Sequence, residues 1–377
     1  MAEEELPLAY TDPHAYLAQS IFHRSLSFRP SWLAPTDAPH RVTFATVGDP
    51  KGPLIFMLNG LGGHRLFGAM LHGIALDHSA HVITLDRPSC GGSTPVPLSQ
   101  RVQWSHESIL AIHAALSLPI TFSLLSHSNG VIYALYTLLH LPPHLKVRRW
   151  DITSPWVPTF ISHSIPFRAA TFIPASATSK LGPIVSSLMK TFDPIGKALG
   201  WSSGLLPGRS KDSLNEREVY LRKNKDEPRE KHTWGRKYFS QKTEDLGFSY
   251  VLAEGLDAMG LEALICLRKG GGEEWGWGMN GEEKDREGVM RRGFGELKAK
   301  LELEDARTEM CVFYGTDDGM VPAAGRKHMK EVLVDELGLV KVEDWVELKG
   351  VGHDVPLMLT VVMETIFTRV DSQDDSL

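Results

Sequence analysis

Apolar residues along this chain gather into short runs that read as strands, separated by stretches with the spacing of helices. The runs lie near residues 41 to 47, 53 to 58, 81 to 86 and 119 to 125, with further strands over Val147 to Thr153 and from Met310 onward. The segment Leu54-Ile55-Phe56-Met57-Leu58 is apolar without interruption, as a strand buried on both faces should be. Helical patterns are clearest over Trp104 to Leu116 and Val131 to Leu139. Strands alternating with helices predict an α/β protein whose mostly parallel sheet is covered by helices on both faces.

Two regions break this rhythm. Residues 1 to 40 carry Pro7, Pro13, Pro30, Pro35 and Pro39 and predict an extended or short-helical lead-in. Between Thr153 and Met310 run roughly 150 residues, longer than a structureless connection supports. A mainly helical cap over 158–305 is therefore expected, inserted into a catalytic core built from 41–157 and 306–377. Within it, Leu181 to Leu199 and Tyr250 to Leu267 are apolar and helix-like. The spacing of Ile184, Leu188, Phe192 and Ile195 suits a helix that covers a pocket. The mixed charges of 209 to 245 read as a solvated helix face. The glycine-rich 270 to 281, with Trp275 and Trp277, reads as an exposed turn before a charged helix near Glu282 to Leu303. The cap is expected to govern access and chain-length preference rather than chemistry.

Composition narrows the function classes. The chain has 377 residues, 42% of them hydrophobic, and a net charge of −6, so it can bury a large core and offers no electrostatic case for nucleic acid. Its three cysteines, Cys90, Cys266 and Cys311, form no complete disulfide framework and lack metal-ligand spacing, which fits a reducing, cytoplasmic location and no metal. Met1-Ala2-Glu3-Glu4-Glu5 is acidic where a secretory leader would be basic, and no apolar run is long enough for an integral membrane segment. Asp375-Ser376-Leu377 is a poor match to the peroxisomal tripeptide S-K-L. A dinucleotide reading of Gly60 and Gly62 fails at Arg65, where a third glycine is needed, and no other cofactor is implied.

The candidate chemistry starts at Leu124-Leu125-Ser126-His127-Ser128-Asn129-Gly130, where an apolar run gives way to a helical one with a serine at the turn. Small residues at 126 and 130 let strand and helix pack around Ser128; a serine capping a helix is the plain alternative. In chain order there follow Gly315-Thr316-Asp317-Asp318-Gly319-Met320-Val321-Pro322, after an apolar strand, and Gly350-Val351-Gly352-His353, after another. Together these resemble the nucleophile elbow, acid turn and histidine loop of the α/β-hydrolase superfamily, whose order is serine, acid, histidine. The first glycine of the family's G-x-S-x-G is Ser126 here.

The resemblance implies Ser128 as nucleophile, His353 as base and acid, and Asp318 as orienter. The family's G-x-x-D-x-x-V-P turn maps onto Gly315, Asp318, Val321 and Pro322, with Asp317 the near rival. A serine hydroxyl needs a base to take its proton, and the base needs a carboxylate to hold its tautomer and stabilise its cation. His64 and His127 compete with His353 by proximity, but a neighbour of the elbow serine points elsewhere, so His127 reads as a packing or pocket-wall residue. The loop Asn59-Gly60-Leu61-Gly62-Gly63-His64 is similar to the family's oxyanion loop, with Asn59 in place of the usual histidine. By that likeness the Leu61 and Asn129 N–H groups are the oxyanion donors; a simple glycine turn is the alternative. Asp86-Arg87-Pro88-Ser89 resembles the family's D-R-P-G corner, which makes Asp86 and Arg87 scaffold.

A serine at 128 excludes the superfamily's aspartate-nucleophile branches. The expected function is a serine hydrolase cleaving a carboxylic ester, lactone or thioester of a small, apolar substrate through an acyl-enzyme on Ser128. A carbon–carbon bond hydrolase, a peptidase and a non-catalytic ligand-binding protein remain the alternatives.

Overall fold

The computed structural model describes residues 6–180, 235–255, 257–269 and 288–371. Eight strands form one sheet: β1 (Arg24–Phe28), β2 (His40–Gly48), β3 (Leu54–Leu58), β4 (His81–Leu85), β5 (Thr121–His127), β6 (Lys146–Thr153), β7 (Glu309–Gly315) and β8 (Trp345–Leu348). Their order is β1-β2-β4-β3-β5-β6-β7-β8. β2 is antiparallel to both β1 and β4, and every later pairing is parallel.

The longer helices are α1 (Phe67–Asp77), α2 (Arg101–Ala115), α3 (Gly130–His140), α4 (Gln241–Glu254), α5 (Asp257–Leu267), α6 (Val289–Leu303), α7 (Ala323–Lys330) and α8 (Thr360–Asp371). They divide the core in two, and the strands show why. Leu54, Phe56 and Leu58 of β3 enter one apolar cluster with α2, α3 and α6, while Ile55 and Met57 enter a second with α1 and α8. In β7, Met310, Val312 and Tyr314 face the first cluster, Cys311 and Phe313 the second. Successive side chains of a strand point to opposite faces, so a sheet covered on both sides needs apolar residues at every position.

Several sequence expectations change. The lead-in contains β1, whose Leu26 and Phe28 alternate with polar neighbours and pack at the edge of the first cluster. The apolar stretch from Tyr250 to Leu267 becomes two helices: α4 begins at a Ser240 cap and stops at Gly255, whose φ of +98° ends it, and α5 follows. α6 lies inside the span expected to be cap, yet its buried Phe294 stacks on Trp150 of β6, ring centroids 5.7 Å apart. The expected helix Leu181 to Leu199, the turn with Trp275 and Trp277, most of the charged run 209 to 245, and residues 282–287 and 375–377 lie outside the described residues.

Strand register places the chemistry. His127 at the end of β5 pairs with Thr153 at the end of β6, which pairs with Phe313 of β7. Gly315, two residues further along β7, pairs with Leu348 at the end of β8. The loops leaving these aligned carboxyl ends carry Ser128, Asp318 and His353, and such an edge is where an open α/β sheet presents ligand-binding groups.

Candidate active site

Ser128 sits directly after β5 in the left-handed region, φ +51°, which a residue with a side chain occupies only when its surroundings hold it there. They do. Its N–H donates to the Thr153 carbonyl (3.0 Å) and its carbonyl accepts from the Trp156 N–H (3.0 Å). A Cβ at Gly130 would stand 2.1 Å from the Leu58 carbonyl oxygen, so only glycine lets α3 start this close to β3. Ser126, the departure from the family pattern, is fully buried and its Oγ accepts from Trp150 Nε1–H (2.8 Å). Ser89, the other replaced glycine, takes φ +65° in the corner after β4.

Ser128 Oγ lies 2.9 Å from His353 Nε2, and His353 Nδ1 lies 2.7 Å from Asp318 Oδ2. The carboxylate accepts, so Nδ1 carries the proton and Nε2 turns its lone pair to the serine hydroxyl. The other carboxylate oxygen, Oδ1, accepts from the Met320 and Val321 N–H groups, both at 2.8 Å, which fixes the acid's orientation. Ser154 Oγ–H donates to the His353 carbonyl (2.7 Å). Asp317 is exposed, and its Oδ1 accepts from its neighbour Thr316 Oγ1–H at 3.1 Å. Of the two rivals, Asp318 is the one that meets the histidine.

Leu61 lies in the loop after β3, beside Gly62 at φ +74°. This loop is pressed against the elbow: a Cβ at Gly60 would come within 3.2 Å of the Ser128 Cβ. Among the described residues neither the Leu61 nor the Asn129 N–H has an acceptor within the chain. Leu61 lines the cavity in front of Ser128, whereas Asn129 is buried behind it.

Asp86 and Arg87 are scaffold, in distinct ways. Asp86 is fully buried and accepts from the Arg65 N–H (2.7 Å), Arg65 Nη1–H (2.7 Å) and Thr43 Oγ1–H (2.5 Å). Arg87 donates to the Asn59 carbonyl, to Asn129 Oδ1 (3.1 Å) and to Glu262 Oε2 (2.6 Å). Glu262 belongs to α5 and Glu254 to α4, and neither stands out in the sequence. Burial raises the Glu262 carboxyl, but Arg87 and Arg101 outweigh it and hold the group below the usual carboxylate range. For Glu254 burial is again overcome, by hydrogen bonds from His64 and Arg65, and the carboxyl is brought down to about 2.

His127 lines the cavity, as a pocket-wall residue should. Its Nε2 is 3.0 Å from Asp354 Oδ1 and its Nδ1 is 3.0 Å from Thr153 Oγ1. Burial pushes this imidazole below its ordinary value, against the pull of Asp354. His64 meets Glu254 instead of the serine. Among the described residues, two groups of side chains present ligand atoms within 4.8 Å of one another: His127 with His353 and Asp354, and His64 with Asp86 and Glu254. In the second, the Arg65 guanidinium bridges both acids and supplies the positive charge itself.

The cavity in front of Ser128 measures about 150 Å³ and is walled by Leu17, Leu66, Phe67, Met70, Phe239 and Val251 among others. No helix among the described residues is long and apolar enough to cross a membrane.

No family model matches this sequence, and no curated protein matches it. Solved structures do resemble the fold. A putative lipase from Acinetobacter baumannii superposes with a TM-score of 0.52 at 13% identity, covering 97% of this chain and 96% of its own. A laboratory-evolved variant of potato epoxide hydrolase gives 0.53 at 13% identity over 94% and 98%, and an esterase from a Rhodococcus species 0.50 at 14% over 93% and 98%. The chain has the α/β-hydrolase fold.

Proposed function

We propose that this protein is a serine hydrolase that cleaves a carboxylic ester, lactone or thioester through an acyl-enzyme on Ser128. The observation that carries the reading is the continuous chain from Ser128 Oγ to His353 (2.9 Å) to Asp318 (2.7 Å) beside an apolar cavity. On this reading His353 Nε2 takes the Ser128 proton as Oγ attacks the carbonyl carbon. The carbonyl oxygen becomes an oxyanion that the Leu61 and Asn129 N–H groups receive. As the tetrahedral centre collapses, the imidazolium returns its proton to the leaving alcohol or thiol. Water then repeats the sequence on the acyl-enzyme and releases the acid.

The lining of the cavity, with Leu17, Leu66, Phe67, Met70, Phe239 and Val251, favours an apolar acyl or ring portion. The likeness to an epoxide hydrolase is one of fold, and at position 128 this chain offers a hydroxyl where that chemistry would use a carboxylate. Reaction with a fluorophosphonate probe tests the reading. The wild-type protein should take up one equivalent and Ser128→Ala none. A wild-type protein left unlabelled would favour a ligand-binding role and sink the hydrolase reading.

A further inference from the structure

Helix α5 carries a deeply buried acid. Glu262, in the middle of α5, is 1% exposed, and among the described residues its carboxylate accepts hydrogen bonds only from side chains that precede residue 158. Oε1 accepts from Arg101 Nε–H (3.0 Å) and Nη2–H (2.7 Å). Oε2 accepts from Arg87 Nη1–H (2.6 Å), the Tyr133 hydroxyl (2.6 Å) and Asn129 Nδ2–H (3.2 Å). A buried carboxylate costs several kcal/mol to desolvate, and only a full set of donors makes the placement tolerable.

The identity of two of those donors matters. Asn129 follows the nucleophile, and its side-chain amide is held at both ends: Nδ2 donates to Glu262 and Oδ1 accepts from Arg87. The same guanidinium donates through Nη2 to the carbonyl of Asn59, two residues before Leu61. One carboxylate thus clamps an arginine that spans the two loops whose N–H groups would receive the oxyanion. The helix also touches the first loop directly, since a Cβ at Gly62 would meet the Met259 Cε at 3.1 Å. An ion pair serving only to seat the cap would be complete with Arg101. Of the additional donors, Tyr133 lies on α3, Asn129 follows the nucleophile, and Arg87 in turn donates to both oxyanion loops.

We infer that Glu262 is a positioning residue for the oxyanion site: through Arg87 and the Asn129 side chain it sets the spacing of the Leu61 and Asn129 amides. The cap then completes the catalytic machinery in addition to covering it. This rests on the serine-hydrolase reading. Oxyanion stabilisation depends on donors placed where charge develops, and loss of one donor costs about 10²–10³ in kcat. Misplacing a donor should cost less.

The test compares wild-type, Glu262→Gln and Glu262→Asp proteins on p-nitrophenyl acetate, with a trifluoromethyl ketone as a probe that forms an oxyanion on the serine. Glu262→Gln should lower kcat by about ten- to hundredfold with KM within about twofold, and weaken the ketone by the same factor. Glu262→Asp should recover part of both, because it keeps the charge. A raised KM at unchanged kcat, or a lower kcat with undiminished ketone affinity, would overturn the inference. Should Glu262→Gln not fold, Asn129→Ala tests the same link. It removes the clamped amide while the 129 N–H and the arginine pairs remain, and an unchanged kcat there overturns the inference equally. Failure of the underlying reading looks different: the wild-type protein itself would neither hydrolyse the ester nor bind the ketone covalently.

Discussion

The turn after β7 and helix α5 each bring a buried carboxylate to the candidate site, and the two are held by opposite means. Asp318 takes its hydrogen bonds from His353 and from the backbone of its own turn, two and three residues further on. Glu262 takes them from two guanidiniums, a phenol and an amide lying 129 to 175 residues away in sequence. Neutral amides orient Asp318 and leave its charge available to the imidazole. Two arginines consume the charge of Glu262 and turn it into a strut. Similar groups at similar burial should therefore fail in different ways: loss of charge at Asp318 should strike turnover with little effect on stability, and at Glu262 both stability and, more mildly, turnover.

The largest effect belongs to Asp318→Asn. The amide keeps the backbone bonds but favours the wrong tautomer of His353, and kcat should fall by about four orders of magnitude with the melting temperature nearly unchanged. Asp317→Asn, on the exposed neighbour, is the control and should cost far less. Equal penalties for the two, measured as kcat on one ester, would erase the distinction drawn from the 2.7 Å contact.

Next comes the stability of Glu262→Gln. It leaves Arg87 and Arg101 buried against a neutral amide, and denaturant unfolding should show a loss of about 3–5 kcal/mol. A loss below about 1 kcal/mol would mean that the strut is dispensable.

The smallest effects lie at Glu254, the acid near the end of α4. It has the same kind of partner, Arg65 at 2.6 and 2.7 Å, but its side chain is 30% exposed. Water and salt screen such a pair, so Glu254→Gln should cost about 1 kcal/mol or less, shrinking as salt is added. Its pH dependence has a definite sign. Folding lowers this carboxyl from 4.5 to about 2, so its contribution is present above pH 4.5 and disappears as the pH falls toward 2. Melting curves of wild-type and Glu254→Gln proteins should differ by a constant amount above pH 4.5 and converge below it. Curves that converge at higher pH would reverse the assignment.

The same contrast explains what could be read from the sequence. Asp318 was legible because its geometry is local: a turn, two amides and a following Val-Pro lie within a few residues, and the strand before it is an unbroken apolar run. Ser128 and His353 were legible for the same reason, each just past a strand end. β3 announced itself because burial on both faces demands apolar residues at every position, and β4 and β5 through their apolar runs Val82-Ile83 and Leu124-Leu125. β1 did not, since an edge strand of Arg24-Ser25-Leu26-Ser27-Phe28 has one half-buried face and flanking prolines. Glu262 was illegible because nothing within several residues marks it. A single glutamate in an apolar helix becomes meaningful only once Arg87, Arg101, Asn129 and Tyr133 surround it. That is also why the segment 158–305 was expected to govern access and chain-length preference rather than chemistry.

The most direct test of the central claim is to catch the covalent intermediate. The protein is mixed with excess p-nitrophenyl acetate, quenched in acid within the first turnover, digested and weighed by mass spectrometry. The peptide carrying Ser128 should gain one acetyl group. In Ser128→Ala that gain should vanish together with hydrolysis, which falls by about a millionfold. Steady hydrolysis with the Ser128 peptide unmodified, or persisting in Ser128→Ala, would contradict the account.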